Sequence, residues 1–266
     1  FKDPELEALM NFLRTPERAV PRAIANTWRR IQMRPHDARL QEERFQTGHM
    51  LAWFWDTVAR WIPMRAKRDA HTLQQVLYLV QAADTSVPAM PVDIAAKLIN
   101  KVNPGDTGGM HGLLPLHVGM RVRLLDHLDL DTGLVKDAEG EVVHLAINPA
   151  DAPEVQEARA TGRPAYLRHL PHGVWVRMDK YSAAPFCDAL GAHDGSLGRA
   201  VTQRLVFIEP QTSTAFDFRK CKVTRTGLPL SHGRVLTSTA CQGRTMRFGV
   251  IIDAGCKDEN DRENLW

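Results

Sequence analysis

The fold of this chain is decided by residues 229–253, which read PLSHGRVLTSTACQGRTMRFGVIID. The segment closes on the apolar run 249–252, which Asp253 follows. A short apolar run bounded by Gly and Asp predicts a buried strand of an α/β domain. Residues 242–245, Gln-Gly-Arg-Thr, precede the run. We expect them at the tip of a helix-to-strand connection, where backbone N–H groups and small side chains can contact a phosphate.

The composition is that of an ordinary globular protein. The chain has 266 residues, 44% hydrophobic and 24% charged, which is enough to bury a core and to form two compact units. Its net charge of +3 permits nucleic-acid binding without requiring it. No apolar run approaches the roughly 18 residues that cross a bilayer, so we expect no membrane segment.

The cysteines and the chain ends carry two further expectations. The four cysteines show no C-x-x-C spacing, which favours a reducing intracellular compartment. The chain opens on Phe-Lys-Asp-Pro without an initiator Met or a signal peptide. We interpret both ends as cut from a longer polypeptide.

Helical periodicity dominates the first hundred residues. It predicts helices that begin at Asp3 and that cover about 21–33, 48–61, 65–82 and 92–102, with Pro63 ending the third. The third helix carries Trp53, Trp55 and Trp61 near two arginines. Aromatic residues at helical spacing are more often core, and a base-stacking platform is the open alternative.

A turn-rich linker at 103–115 separates this region from a segment of period two. The linker is not a phosphate loop, because no Gly-Lys-Ser/Thr follows it. The alternation after it predicts strands over 118–124, 141–147, 174–178 and 203–209. Residues 151–164 and 188–199 are expected to be surface excursions.

The opening segment resembles motif V of superfamily-one DNA helicases of the petite-integration-frequency type, with their RecD and Helitron-transposon relatives. The family form is Pro-Leu-x-x-Ala-Tyr-Ala-x-Thr-x-His-Lys-Ser-Gln-Gly-x-Thr. Residues that fall on matching positions without a gap are Pro229, Leu230, Thr237, Gln242, Gly243 and Thr245. Gly233-Arg234-Val235 replaces the family's Ala-Tyr-Ala, and Thr239-Ala240-Cys241 replaces its His-Lys-Ser.

Two more segments carry the same resemblance. Residues 114–124, LPLHVGMRVRL, resemble the family's Leu-x-Leu-Lys-x-Gly-x-x-Val-Met-Leu, and a Gly-Leu-Val follows at 133–135. Residues 225–230, RTGLPL, resemble its Arg-x-Gln-x-Pro-Leu. In that family the strands between these anchors form a small barrel inserted into the second RecA-like domain. The resemblance covers about half of the chain.

The fold that follows is α/β, with a helical N-terminal portion and part of a RecA-like (P-loop NTPase-type) domain that carries a small β-barrel-like insertion. The expected boundaries are a helical region over 1–102, a linker over 103–115, a strand-rich segment with the insertion over 116–228, and part of the second RecA-like domain over 229–266.

The resemblance implies part of an ATP-dependent DNA helicase that translocates on single-stranded DNA and unwinds duplex. The resemblance implies that the complete parent protein uses ATP and Mg²⁺ and acts on single-stranded or forked DNA. It also implies a location in the nucleus, or alternatively the mitochondrion, and a role in repair, recombination or telomere maintenance. The sequence holds no Gly-x-x-x-x-Gly-Lys-Ser/Thr and no Tyr-Val-Ala-x-Ser-Arg, so this chain alone is expected to be inactive. The alternative is a non-catalytic nucleic-acid-binding module from a degenerate or transposon-derived helicase.

The resemblance also implies the site residues. Gln242 and Gly243 would transmit the state of the nucleotide, and together with Thr245 would line its cleft. Candidate nucleic-acid contacts are Thr237, Ser238, Thr239, Arg225, Arg121 and Arg123. Helix capping and packing remain the open alternative for the hydroxyl residues, and a solvated strand face for Arg121 and Arg123.

We expect no metal site. His169 and His172, with Cys187 and His193, lack the paired spacing of zinc ligands. Three aspartates at 126, 129 and 131 lack the glycine and terminal Glu of a calcium loop.

Overall fold

A computed structural model of the chain describes residues 42–101, 103–181, 204–241 and 250–253, and the single positions Pro4, Ala8 and Ala38. The chain divides into two compact units, one formed by Phe1–His49 with Thr245–Trp266, and the other by Met50–Arg244. The helices predicted from Asp3 and over 21–33, and the excursion at 188–199, lie outside the described residues.

The described residues form four α-helices and fifteen strands. The helices are α1 Glu43–Gln46, α2 Trp55–Thr72, α3 Val92–Ile99 and α4 Ala152–Thr161. The strands are β1 His49–Ala52, β2 Tyr78–Gln81, β3 Ala83–Val87, β4 Leu113–Leu116, β5 Arg121–Leu124, β6 Glu139–Ala146, β7 Ala165–Leu167, β8 Gly173–Met178, β9 Leu205–Ile208, β10 Gln211–Thr212, β11 Phe216–Phe218, β12 Cys221–Gly227, β13 Leu230–His232, β14 Val235–Thr237 and β15 Val250–Asp253. None of the helices in this described part of the chain has both the length and the apolarity that a membrane span needs. The architecture is mixed α/β, as the sequence predicts.

In the second unit, β1 and β14 form a parallel pair. Met50 faces Val235, Leu51 faces Leu236, and Ala52 faces Thr237. Ala52 and all three residues of β14 are buried, which is typical of strands covered on both faces. The strand predicted over 249–252 is present as β15, in the first unit.

The largest sheet is antiparallel and has the strand order β13-β5-β6-β8-β9. Four of these strands correspond to the segments of period two that the sequence indicates. The alternation places one side chain in two toward the core, and β8 accordingly buries Val174, Val176 and Met178. A register irregularity between Val142 and His144 bends β6 against β8.

Two smaller sheets complete the second unit. One has the order β4-β2-β7, and the other has β10-β12-β11 with β3 paired to β12. Within the described residues the strands form open sheets and do not close into a barrel. Because β2 and β3 pair with later strands, residues before and after the turn-rich linker share these sheets.

The helix α2 differs from the predicted helices. Residues 49–52 are a strand rather than the start of a helix, and Pro63 lies inside α2 rather than at its end. The buried positions Val58, Ile62, Ala66 and Ala70 continue on one face across the proline. Tertiary packing of that face therefore outweighs the loss of one backbone hydrogen bond. The helix ends at Thr72, ten residues before the predicted end at 82.

Residues 151–164 also differ from expectation, because they contain the helix α4 rather than an irregular excursion. A proline in the first turn suits a helix start, since its missing N–H has no partner there in any case. Val155 and Ala158 are buried at helical spacing, and Gly162 ends the helix in the left-handed conformation with φ 71°.

The main hydrophobic core is formed by side chains of the five-stranded sheet, of the sheet β4-β2-β7 and of the helices α2 and α4. Ala66 and Ala70 of α2 and Val155 and Ala158 of α4 pack into it from the helix side. A smaller cluster of Ala52, Val58, Ile62 and Val235 joins α2 to the parallel pair β1–β14. This second cluster fixes the edge at which the candidate site lies.

Candidate nucleic-acid interface

The parallel strands β1 and β14 end side by side. Their last residues, Ala52 and Thr237, are register partners, and the Ser238 N–H donates a hydrogen bond of 2.9 Å to the Ala52 carbonyl. The residues that follow each strand, Trp53 on one side and Ser238 with Thr239 on the other, are therefore neighbours. Ligands of open α/β sheets bind beyond the carboxyl ends of the strands, and this is such an edge.

The three hydroxyl residues of this edge are not equivalent. Thr237 is only 7% exposed, and its Oγ1 accepts a hydrogen bond of 3.3 Å from the Ala240 N–H. It caps the 3₁₀ turn Thr239–Cys241, as the capping alternative proposes. Ser238 is half-buried and Thr239 is exposed, so these two hydroxyls face ligands more readily than that of Thr237.

Cys241 is also part of this local structure. Its thiol donates a hydrogen bond of 2.9 Å to the Ser238 carbonyl, in keeping with a packed thiol. Gln242, Gly243 and Thr245, which the sequence assigns to the nucleotide cleft, lie outside the described residues. Their roles stay predictions.

The prediction that Arg225 contacts nucleic acid requires a correction. Its side chain is 0% exposed and lies on β12 directly opposite Asp84 of β3. The guanidinium donates two hydrogen bonds to the Asp84 carboxylate, at 2.7 and 2.8 Å. Two more bonds of 3.2 Å go to the carbonyls of Met110 and Leu98. An enclosed, fully engaged guanidinium holds the fold together and does not reach a phosphate.

The two arginines on β5 are also engaged with carboxylates. Arg121 donates to Asp179 at 2.8 Å and to Glu139 at 3.4 Å, and the Asp179 carboxylate in particular raises the pKa of the arginine. Arg123 is 2% exposed and pairs with Asp137. The buried Arg123 therefore does not lie on a solvated strand face. At Arg121, DNA would have to displace existing ion pairs.

The tryptophans divide into two groups. Trp55 and Trp61 pack against the small cluster formed by Ala52, Val58, Ile62 and Val235, as the core interpretation proposes. Trp53 is 56% exposed at the end of β1. The stacking alternative therefore survives for Trp53 alone.

Sequence reasoning missed a cavity that lies beside α2. Its volume is about 180 Å³, and its walls include Ala59 and Pro63 of α2, Asn100 after α3, and His111. His111 Nε2 lies 2.9 Å from Ser231 Oγ, and its ring meets Trp55 edge-on at 6.3 Å between centroids. Desolvation, with the positive charges of Arg123 and Arg225, lowers the pKa of His111 to about 3, so the imidazole is neutral at physiological pH.

Within the described ranges, no group of three or more His, Cys, Asp or Glu side chains is arranged to hold a metal ion. His169 Nδ1 lies 3.1 Å from the Asp151 carboxylate. Asp129 caps its own turn through the Asp131 N–H at 3.0 Å. Cys187 and His193 lie outside the described residues.

Comparisons with known proteins identify the class of fold. No protein-family model matches the sequence, and a comparison with curated proteins gives no match. Among solved structures, the Pif1 helicase from Candida albicans is similar over 99% of this chain and 50% of that chain, with 18% identity and a TM-score of 0.54. A Bacteroides Pif1 bound to single-stranded DNA is similar over 94% of this chain and 42% of that chain, with 16% identity and a TM-score of 0.52.

A third structure, of two coordinating Pif1 helicases at forked duplex DNA, is similar over 94% of this chain and 40% of that chain, with 17% identity and a TM-score of 0.50. The chain has the fold of part of a Pif1 helicase structure, which confirms the fold that the motifs indicate. It spans half or less of the length of the helicases it matches.

Proposed function

We propose that this chain forms part of an ATP-dependent DNA helicase that translocates on single-stranded DNA and unwinds duplex. The fold carries the proposal, since Pif1 helicase structures match 94–99% of the chain at TM-scores of 0.50 to 0.54. One of those proteins was solved bound to single-stranded DNA. The motif V resemblance at 229–245 supports the same assignment from the sequence.

In this proposal the carboxyl edge of β1 and β14 contributes to the DNA path. Ser238 and Thr239 would donate hydrogen bonds to backbone phosphates, which position a strand without reading its sequence. Thr237 would act indirectly, because its hydroxyl holds the turn that presents the other two. Two of the three residues would thus contact DNA directly and one would support them, whereas the sequence assigns the same role to all three.

Nucleotide chemistry would belong to the parent protein. Phosphoryl transfer needs a phosphate loop with its Lys, a bound Mg²⁺ and an arginine finger, and this sequence contains no Walker-type loop. Gln242, Gly243 and Thr245 would sense ATP from one wall of the cleft. Closure of two RecA-like domains on ATP would then drive movement along the strand.

A non-catalytic nucleic-acid-binding module is the second candidate. It is favoured by Thr239-Ala240-Cys241, which stand where the helicase family has His-Lys-Ser. The flanking reading frame separates the two candidates. A Gly-Lys-Thr loop upstream and Tyr-Val-Ala-x-Ser-Arg downstream support the motor, whereas an intact gene without both supports the module.

The first test measures single-stranded DNA binding by fluorescence anisotropy with a labelled oligothymidylate. We expect the affinity to fall steeply between about 50 and 200 mM salt. The double substitution Ser238→Ala with Thr239→Ala should weaken binding about 10-fold, because each lost hydrogen bond contributes about 0.5–1.5 kcal/mol.

Thr161→Ala is the matched control, since Thr161 is an exposed hydroxyl residue at the end of α4. It should leave the affinity unchanged. Absent or salt-insensitive binding by the wild-type chain contradicts both candidates. DNA-stimulated ATP hydrolysis by this chain alone would show that its catalytic parts have been misassigned.

A further inference from the structure

We propose that Trp53 stacks on a base of single-stranded DNA at the carboxyl edge of β1 and β14, so that this edge holds both base and phosphate of one nucleotide. The inference rests on the proposed function, and it adds a DNA-contacting residue that lies outside motif V. Three observations carry it: the exposure of Trp53, its position, and the independence of the core from its side chain.

The exposure of Trp53 contrasts with its surroundings. The side chain is 56% exposed, while Ala52, immediately before it, is 2% exposed. Tryptophan is a large apolar residue that proteins bury on average, and exposed aromatic surface on a rigid scaffold is typical of recognition sites. Its indole offers a broad flat face to a partner.

The core does not depend on this side chain. The cluster beneath the edge is formed by Ala52, Val58, Ile62 and Val235, with Trp55 and Trp61 packed against it. Two tryptophans close in sequence to Trp53 therefore provide the aromatic packing of the region. Trp53 is not among the side chains of this cluster.

The position of Trp53 places it beside the hydroxyl residues. The Ser238 N–H bonds to the carbonyl of Ala52 at 2.9 Å, so the chain leaves β1 at Trp53 where it leaves β14 at Ser238. Neighbouring strands lie about 4.8 Å apart. The indole and the hydroxyls of Ser238 and Thr239 are consequently within reach of a single nucleotide, one meeting its base and the others its phosphate.

Stacking on Trp53 would not read the base sequence and would not need the charged groups that follow it in α2. Asp56 and Arg60 lie in the first turns of α2, and Arg60 Nε donates to the Asp56 carbonyl at 3.2 Å. Neither group is needed for stacking, which uses the π-face that every base presents. We therefore expect contact with all four bases, as a protein that moves along DNA requires.

The test compares two labelled probes, an oligothymidylate and an abasic oligonucleotide of equal length. Trp53→Ala should weaken oligothymidylate binding roughly 5- to 150-fold, the range of one base–aromatic stack. The same substitution should change abasic binding less than about 2-fold, since the phosphate contacts remain. Trp53→Phe should restore most of the oligothymidylate affinity, because a phenyl ring also stacks.

Tyr166→Ala is the matched control. Tyr166 is likewise an aromatic residue that is 56% exposed, but it lies on β7 in a different sheet. Its removal should leave both affinities unchanged. Oligothymidylate should also quench tryptophan fluorescence in the wild-type chain and quench it less in the Phe variant.

The outcomes separate this inference from the proposed function. Wild-type affinity in Trp53→Ala overturns the stacking role while the helicase assignment stands. An equal loss on both probes, or a Phe variant as weak as the Ala variant, also overturns it. A wild-type chain that binds neither probe overturns the proposed function itself.

Discussion

The Arg225 guanidinium joins three segments of the second unit. It bonds Asp84 on β3, the Leu98 carbonyl at the end of α3 and the Met110 carbonyl before β4. Its removal would leave the Asp84 carboxylate without its cation, whereas the carbonyls of Met110 and Leu98 would keep their bonds from the Thr107 hydroxyl and the Lys101 N–H. Breaking a buried ion pair in this way costs far more than the pair contributes as a whole.

We therefore expect Arg225→Ala to lower the free energy of unfolding by about 3–5 kcal/mol, measured by urea unfolding. Arg121→Ala is the comparison, because Arg121 is also ion-paired but is 22% exposed and its pairs are partly screened by solvent. That variant should lose about 1 kcal/mol or less. Equal losses in the two variants would show that burial is not what sets the contribution of Arg225.

At the scale of the elements, α2 contains an internal proline, Pro63, and remains a continuous helix. Pro63 has no N–H to donate to the Ala59 carbonyl, and both residues lie in the wall of the cavity. Ile62 and Ala66 on either side of the proline are 3% and 0% exposed. Their burial keeps the helix continuous across the missing hydrogen bond.

Pro63→Ala should consequently stabilise the chain. Alanine restores the N–H and favours the helix by up to about 3 kcal/mol over proline, and the greater freedom of the unfolded chain offsets part of that gain. We expect a net increase of about 1 kcal/mol in the free energy of unfolding. A lower melting temperature in calorimetry would instead indicate that the proline ring itself supports the cavity wall.

At the scale of the whole molecule, the second unit encloses two neutral histidines. Burial lowers the pKa of His117, although its hydrogen bond to the Val118 carbonyl and the charge of Asp69 act against that shift. Desolvation and two nearby arginines lower the pKa of His111 from 6.5 to about 3. In the unfolded chain both side chains take up a proton near pH 6.5.

This difference makes the folded state sensitive to acid. Stability contributed by the neutral His111 is complete above about pH 7 and falls as the pH drops toward 3, because the unfolded state then binds more protons. Between those limits His111 contributes a slope of about 1.4 kcal/mol per pH unit, and His117 adds to the loss in the same direction. Urea unfolding of His111→Gln between pH 6 and 4 should show a slope shallower by about that amount; an unchanged slope would mean that His111 is protonated in the fold.

Local patterns in the sequence predicted much of this molecule. Alternating side chains predicted β5, β6, β8 and β9 within a few residues, because the period of a strand is set by its own backbone. The motifs at 114–124 and 229–245 indicated the helicase fold that the solved structures share. The hydroxyl residues after β14 were likewise located from the sequence, though not their unequal exposure.

Contacts between distant segments decided the rest. The partner of Arg225 is Asp84, 141 positions away, and no local pattern distinguishes a buried arginine from a solvated one. The continuity of α2 through Pro63 depends on the packing of its inner face. Trp53 is exposed, whereas Trp55 and Trp61 pack against the cluster of Ala52, Val58, Ile62 and Val235, and their spacing in the sequence does not show this difference. Sequence by itself determined the class of fold and indicated the edge proposed to carry the site, because periodicity and motifs are local. Only the tertiary structure decided which side chains at that edge remain exposed, since burial is set by residues far apart in the chain.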